Sequence, residues 1–206
     1  AGDGTGVILI LDADGQLRRT QPISDRYSFG SDEFGPTWYP DDVMVLRSGG
    51  DVRIASAWHH HTWWPSIVAI FDEQGRITGR FVHPGWILRL NGSADGRYLL
   101  AAGISNDLGG AVLAVLDARS IDGTAPAGGG RLPSCTNCPP GSPRAYVLVP
   151  WSDVARVSDV PSVTVQVADS GTIALRAGQR NSADPVFPEV IVELSPSLEI
   201  LSRRVS

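Results

Sequence analysis

The sequence contains no lysine: its 17 basic residues are all arginine. Chemistry that needs a lysine amine, such as a Schiff base or the phosphate-binding loop of nucleotide hydrolases, is therefore excluded. The arginines are scattered along the chain and the formal net charge is −5. This charge pattern argues against nucleic acid as a partner.

Long apolar runs are also absent, since no stretch of 18 apolar residues occurs. We therefore expect no membrane span in this chain. The sequence starts at Ala1 and has no apolar signal-peptide core. We expect either that a leader has been removed or that the domain belongs to a longer protein.

Cysteine is scarce, with only Cys135 and Cys138 present. There is no second CxxC pair for a zinc ribbon, no following histidine for covalent haem and no βαβ pattern for a thioredoxin-like site. In an oxidising compartment the pair is expected to form a local disulfide. Free thiols, and a metal or redox site, are the alternatives.

A strand-pair pattern recurs three times along the chain. A strand that follows a polar turn (51–57, 96–103, 171–178) precedes a very apolar strand (66–72, 111–117, 189–195), and 7–12 repeats the second type. Asp-Gly, Gln-Gly and Ser-Gly turns separate the strands, and no long helical period appears. Recurrence of a multi-strand unit at such a period is typical of a β-propeller.

The pattern predicts an all-β fold, a β-propeller of four-stranded antiparallel blades with about three and a half blades in one domain, 1–206. Residues 7–12 and 17–21 would be the outer pair of the first blade. The complete blades would be 42–47, 52–58, 66–72 and 76–82; 86–91, 97–103, 111–117 and 144–150; and 162–168, 172–178, 189–195 and 198–204.

Two segments interrupt this register: a connector at 22–41, and a Gly/Pro-rich insertion at 118–143 that holds the CxxC pair. An incomplete ring would expose strand edges. We expect residues upstream of Ala1 to complete the ring. Completion by another chain, or packing of the sheets as a sandwich, are the alternatives.

The turn Asn91-Gly-Ser93-Ala-Asp95-Gly96 resembles the calcium-binding hairpin of the FG-GAP/VCBS family of extracytoplasmic β-propeller repeats. The resemblance implies a periplasmic or secreted location, and calcium bound by Asn91, Ser93 and Asp95. The acidic residue that often closes the family's loop is missing here, and calcium needs six to eight oxygens. A plain Asp-Gly hairpin is the alternative, in which case the protein carries no cofactor.

Propeller geometry would place the histidines and five of the six tryptophans on one loop face. Such a surface suits recognition of a protein, peptide or glycan, because aromatic side chains bury large areas at low entropy cost. The alternative is that the tryptophans only wedge between blades. The proposed contacts are His60, Trp63, Trp64, His83, Trp86, Asn106, Asp107, Trp151 and Arg180.

The leading prediction is thus a non-enzymatic binding or sensor module. The first alternative is a carbohydrate-active hydrolase or lyase that uses acids such as Asp41, Asp42, Asp107, Asp153 and Asp184 with the histidines of this face. The second is a structural subunit that completes a propeller with another chain. His59-His60-His61 could bind a metal, but at most two consecutive side chains of an extended segment converge.

Overall fold

The structure, a computed structural model, describes residues 7–11, 14–29, 31–48, 50–60, 65–105, 108–124, 135–136, 143–154, 160–180 and 189–206. These residues form strands and one short helix, so the all-β prediction is confirmed. The elements are β1 Val7–Leu11, β2 Leu17–Pro22, β3 Tyr27–Phe29, β4 Asp32–Phe34, β5 Tyr39–Ser48, β6 Asp51–His59, β7 Ser66–Phe71, β8 Ile77–His83, β9 Trp86–Gly92, β10 Tyr98–Ser105, β11 Gly110–Asp117, β12 Asp122–Thr124, β13 Cys135–Thr136, β14 Ala145–Pro150, α1 Trp151–Val154, β15 Val160–Val167, β16 Ile173–Arg180, β17 Glu189–Leu194 and β18 Ile200–Val205.

Three sheets are built on antiparallel meanders of four strands. Sheet I contains β5–β8, sheet II contains β9–β11 and β14, and sheet III contains β15–β18. The strands of these meanders are the ones that the repeated pattern predicts. Sheet I differs from the expected four strands, because β12 of the insertion adds a fifth in parallel to β8.

The remaining strands form two small sheets. β1 and β2 pair as a hairpin, and β3, β4 and β13 form a sheet that we call the small sheet. The small sheet arises from the segment that sequence reasoning treated as a connector, with β13 of the insertion paired to β3. No helix among the described residues is long and apolar enough to cross a membrane.

Several strands end at hairpin turns that contain a glycine with a positive φ. Gly96 (φ 67°) and Gly171 (φ 81°) close the β9–β10 and β15–β16 turns. A residue with a Cβ would be strained at these angles. The predicted Asp-Gly and Ser-Gly turns therefore occur where the register requires them.

Sheet II is buried on both faces. Leu100, Leu113 and their neighbours on one face pack against sheet III, while Leu99 and Val112 on the other face pack against sheet I. Successive side chains of each strand point to opposite faces, so sheet II contributes to two separate cores. The sequences of β10 and β11 are therefore nearly continuous apolar runs.

The sheets come closest at their first strands. β9 approaches β5, β6 and β7, and β15 approaches β9, β10 and β11. Polar side chains connect these first strands: Asp42 Oδ2 accepts from Leu90 N at 2.8 Å, and Asn91 Nδ2 donates to Val165 O at 3.2 Å. The three sheets therefore converge along β5, β9 and β15.

The two outer faces of this array differ. The outer face of sheet I packs against buried aromatic residues of the small sheet and its flanking segment, Tyr27, Phe29, Phe34 and Trp38. The outer face of sheet III carries ion pairs between Arg176 and Glu189 (3.4 Å) and between Arg204 and Glu193 (3.0 Å). These charged pairs lie on the same face as Ile191, which is buried.

Candidate binding site at one end of sheets I and II

One row of side chains crosses the end of sheet I on the face that packs against sheet II. Tyr39 is opposite His59, His59 is opposite Ser66, and Ser66 is opposite His83. Directly paired residues of antiparallel strands point to the same face, so the row places two histidines, a serine and a tyrosine side by side.

Asp41 joins this row to sheet II. Its Oδ2 is 2.8 Å from His59 Nδ1, and its Oδ1 accepts a hydrogen bond from Trp86 Nε1 at 2.8 Å. The side chains of Asp41 and His59 are only 10% and 17% exposed. We call Tyr39, Asp41, His59 and Trp86 the Asp41 cluster.

Aromatic contacts hold the imidazole of His59 between two rings. The Tyr39 ring stacks on it at 5.6 Å between centroids, with 29° between the planes. The Trp86 ring lies at 5.3 Å with a tilt of 53°. Both rings are half-buried, so the cluster has a packed side and an accessible side.

A β-bulge positions the carboxylate. The register of β5 against β6 shifts between Pro40, which is opposite Trp58, and Asp42, which is opposite Ala57. Asp41 is therefore the extra residue, and bulges of this kind redirect one side chain.

A close backbone approach positions the indole. β9 also shifts register where Gly103 pairs with Ile87, and a Cβ on Gly103 would lie 2.0 Å from the carbonyl oxygen of Trp86. Only glycine fits at this distance from a backbone atom.

The hydrogen bonds fix the tautomer of His59. An ionised carboxylate only accepts hydrogen bonds, so the proton of a neutral His59 is on Nδ1, and Nε2 presents a lone pair. Such a nitrogen can accept a hydrogen bond from a ligand or remove a proton. It has no hydrogen-bond partner among the described residues.

Ser66 is not a nucleophile for this imidazole in the observed arrangement. Its hydroxyl donates to Gly85 O at 2.6 Å and accepts from Ile87 N at 3.0 Å, and the residue is fully buried. Ser66 instead fixes the connection between sheets I and II. Among the described residues, no group of three or more His, Cys, Asp or Glu could hold a metal ion.

His83 is fully buried, with Nε2 at 2.8 Å from the Tyr146 hydroxyl. Burial lowers the pKa of His83 from 6.5 to about 4, and the Gly85 backbone offsets this effect in part. Burial also raises the pKa of Tyr146. Both groups are therefore neutral near pH 7, and the pair connects sheets I and II.

The other predicted contact residues are distributed as follows. His60 is buried on the opposite side of sheet I from His59, where its ring contacts Phe34 at 5.2 Å and Trp38 at 5.6 Å. Trp151 is half-buried against the core between sheets II and III. Trp63, Trp64, Asn106, Asp107 and the side chain of Arg180 lie outside the described residues, as do Cys138 and the side chain of Cys135.

The Asn91–Asp95 turn is a hydrogen-bonded hairpin. Ser93 Oγ donates to Asp95 Oδ1 at 2.6 Å, and Arg97 N donates to the same oxygen at 3.0 Å. Asn91 points its amide toward Val165, and its Oδ1 accepts from Gly92 N. Two of the three predicted calcium ligands, Ser93 and Asp95, are thus hydrogen-bonded to each other, and the calcium site stays a prediction.

The sequence indicates Asp41 and His59 only for the alternative hydrolase and metal sites, and it gives no signal for Tyr39. The alternation along β6 indicated that neighbouring histidines face opposite sides. His59 differs from the neighbouring histidines in its contact with Asp41, whose side chain is directed by the β-bulge. The sequence pattern does not reveal this bulge.

Comparisons with known proteins give little further guidance. No family model matches the chain, and no curated protein matches it. Among solved structures, a protein of unknown function from Bacteroides caccae aligns over 97% of this chain and 75% of its own, with 10% sequence identity and a TM-score of 0.31.

Replacing Asp41 with asparagine should reverse the tautomer of His59. In D41N the amide oxygen would still accept from Trp86, while the amide NH₂ group would donate to His59 Nδ1 and move the imidazole proton to Nε2. The ¹⁵N chemical shifts of the ring measure this directly, with His83 as the internal control. Unchanged His59 shifts in D41N would contradict the assigned hydrogen bonds.

The stability of the protein should fall as the pH decreases from about 6.5 to about 4. The unfolded chain protonates His83 below its usual pKa of 6.5, whereas the folded protein resists protonation down to about 4. Across this window the loss amounts to about 3 kcal/mol. Urea unfolding of the wild type and of His83→Gln measures it, and the variant should have the flatter pH profile; parallel profiles would show that His83 is not the cause.

Proposed function

We propose that this chain is a non-enzymatic binding module that recognises a protein, peptide or glycan. The binding surface would be the end of sheets I and II at which the Asp41 cluster lies. The observation that carries the proposal is the Asp41 cluster. One carboxylate holds the half-buried Trp86 ring and an imidazole with an available nitrogen there, and the half-buried Tyr39 ring stacks on that imidazole. Preorganised aromatic and polar groups of this kind are typical of binding sites.

We further propose that the three sheets are blades of a β-propeller. Their convergence along β5, β9 and β15 supports this arrangement, because propeller blades meet at their innermost strands. The two-sided burial of sheet II also supports it. The Asp41 cluster would then lie on one face of the propeller, and the FG-GAP/VCBS resemblance suggests an extracytoplasmic location.

The binding proposal is tested with arrays of peptides and oligosaccharides. The double variant Tyr39→Ala/His59→Ala should lose at least 10-fold in affinity for any ligand that the wild type binds, because it removes one ring and the available nitrogen. A control pair at the opposite end of sheet I, Glu73→Ala/Gln74→Ala, changes exposed residues and should bind like the wild type.

Circular dichroism melting should show that both double variants are folded. Equal affinity of the wild type and Tyr39→Ala/His59→Ala for every ligand would exclude this end of the molecule as the binding surface.

A second candidate function is a structural subunit that completes a propeller with another chain. Both terminal elements of the described chain expose large apolar side chains at edge strands. The exposed fractions are 53–57% in the β1–β2 hairpin and 58–65% in β18, for Leu9, Leu11, Leu17, Ile200, Leu201 and Val205. Pairing with another chain would bury these side chains.

Light scattering tests whether the other chain is a second copy, through the native mass of this 21.9 kDa chain. If the apolar edges pair between copies, the protein should be a dimer or larger, and Leu201→Glu with Val205→Glu should return it to a monomer. A monomeric wild type at micromolar concentration would rule out self-association through these edges.

A further inference from the structure

The Asp41 cluster has a defined hydrogen-bonding capacity toward a ligand. The two Asp41 oxygens already accept from His59 and Trp86. Besides the carboxylate, whose side chain is only 10% exposed, the cluster offers the acceptor His59 Nε2 and the hydroxyl of Tyr39, which has no hydrogen-bond partner among the described residues. A hydroxyl donates and accepts, so the site suits a ligand that has hydroxyl groups.

The charges of the cluster disfavour an anionic ligand. Asp41 is the charged member of the Asp41 cluster, and its 10% exposed carboxylate would repel an acidic group. Arg80, the nearest arginine along β8, forms an ion pair with Asp25 at 2.7 Å. It pairs with Ala69 on the other face of sheet I.

Apolar peptides are also a poor match. The large apolar side chains that the described residues expose are on the β1–β2 hairpin, on β18 and at Val43 and Val45 in the middle of β5. None of them belongs to the Asp41 cluster. The cluster instead combines ring faces with a few polar atoms, a combination that suits a ring with both apolar C–H faces and hydroxyl edges.

We infer that the ligand of the Asp41 cluster is a neutral carbohydrate. One sugar hydroxyl donates to His59 Nε2, a second bonds the Tyr39 hydroxyl, and the C–H face of the pyranose lies against the exposed side of an aromatic ring. This inference rests on the proposed binding function and specifies the class of ligand for the same site.

The test uses three probe sets on the same protein: neutral oligosaccharides of glucose, galactose and mannose, oligosaccharides that contain uronic acid, and a library of unstructured peptides. The wild type should bind members of the neutral set. Tyr39→Phe should weaken that binding by about 5-fold, since it removes one neutral hydrogen bond. D41N should also weaken it by about 5-fold, because His59 Nε2 becomes a donor and the sugar hydroxyl that donates to it in the wild type must turn to accept instead.

Tyr98→Phe is the matched control. The Tyr98 hydroxyl also has no hydrogen-bond partner among the described residues, but Tyr98 lies at the opposite end of sheet II, under the Arg97 guanidinium. Its removal should leave affinity for neutral sugars unchanged. Equal losses in Tyr39→Phe and Tyr98→Phe would overturn the assignment of the sugar to the Asp41 cluster.

The remaining outcomes separate the inference from the binding proposal. Binding of peptides or uronates alone, with a loss in D41N, would overturn the inference of a neutral carbohydrate and leave the binding function intact. Binding that no variant of the cluster alters, or an absence of binding to all three probe sets up to millimolar concentration, would overturn both.

Discussion

The burial of sheet II on both faces is the constraint on which the rest of the structure depends. Its central strands β10 and β11 have no solvated face, so sheets I and III must each present a complementary apolar face. Interiors pack at the density of organic crystals, which leaves little room for polar groups inside the array. Where polar side chains do lie between the described sheets, as Asp41 and His83 do, they are hydrogen-bonded.

Asp41 shows how one strand end connects fold and function. A largely buried carboxylate is tolerated when donors satisfy it, and here His59 of sheet I and Trp86 of sheet II both bond to it. The same two hydrogen bonds that join the sheets also set the tautomer of the imidazole and the orientation of the indole. Removing either donor would leave one oxygen of the Asp41 carboxylate without its hydrogen bond. Because one donor comes from sheet I and the other from sheet II, the packing of the two sheets fixes the geometry of the site.

The two ends of the array are closed in different ways. The outer face of sheet I is covered by aromatic residues of the small sheet, whereas the outer face of sheet III carries arginine–glutamate pairs. The Asp41 cluster lies between sheets I and II, and the small sheet covers the other face of sheet I.

The strands of the three meanders were predictable from sequence, because apolar alternation and turn glycines are local signals, as in 97–103 and 111–117. The connector at 22–41 was not, since β3 and β4 are short and Trp38 is buried through tertiary contacts, among them those with Tyr27 and His60. The sequence by itself determined the all-β class, the strand order within each meander and the opposite orientation of neighbouring histidines. Only the tertiary structure decided which histidine meets a carboxylate, because Asp41 and Trp86 are brought together by a bulge in β5 and by the packing of one sheet on another.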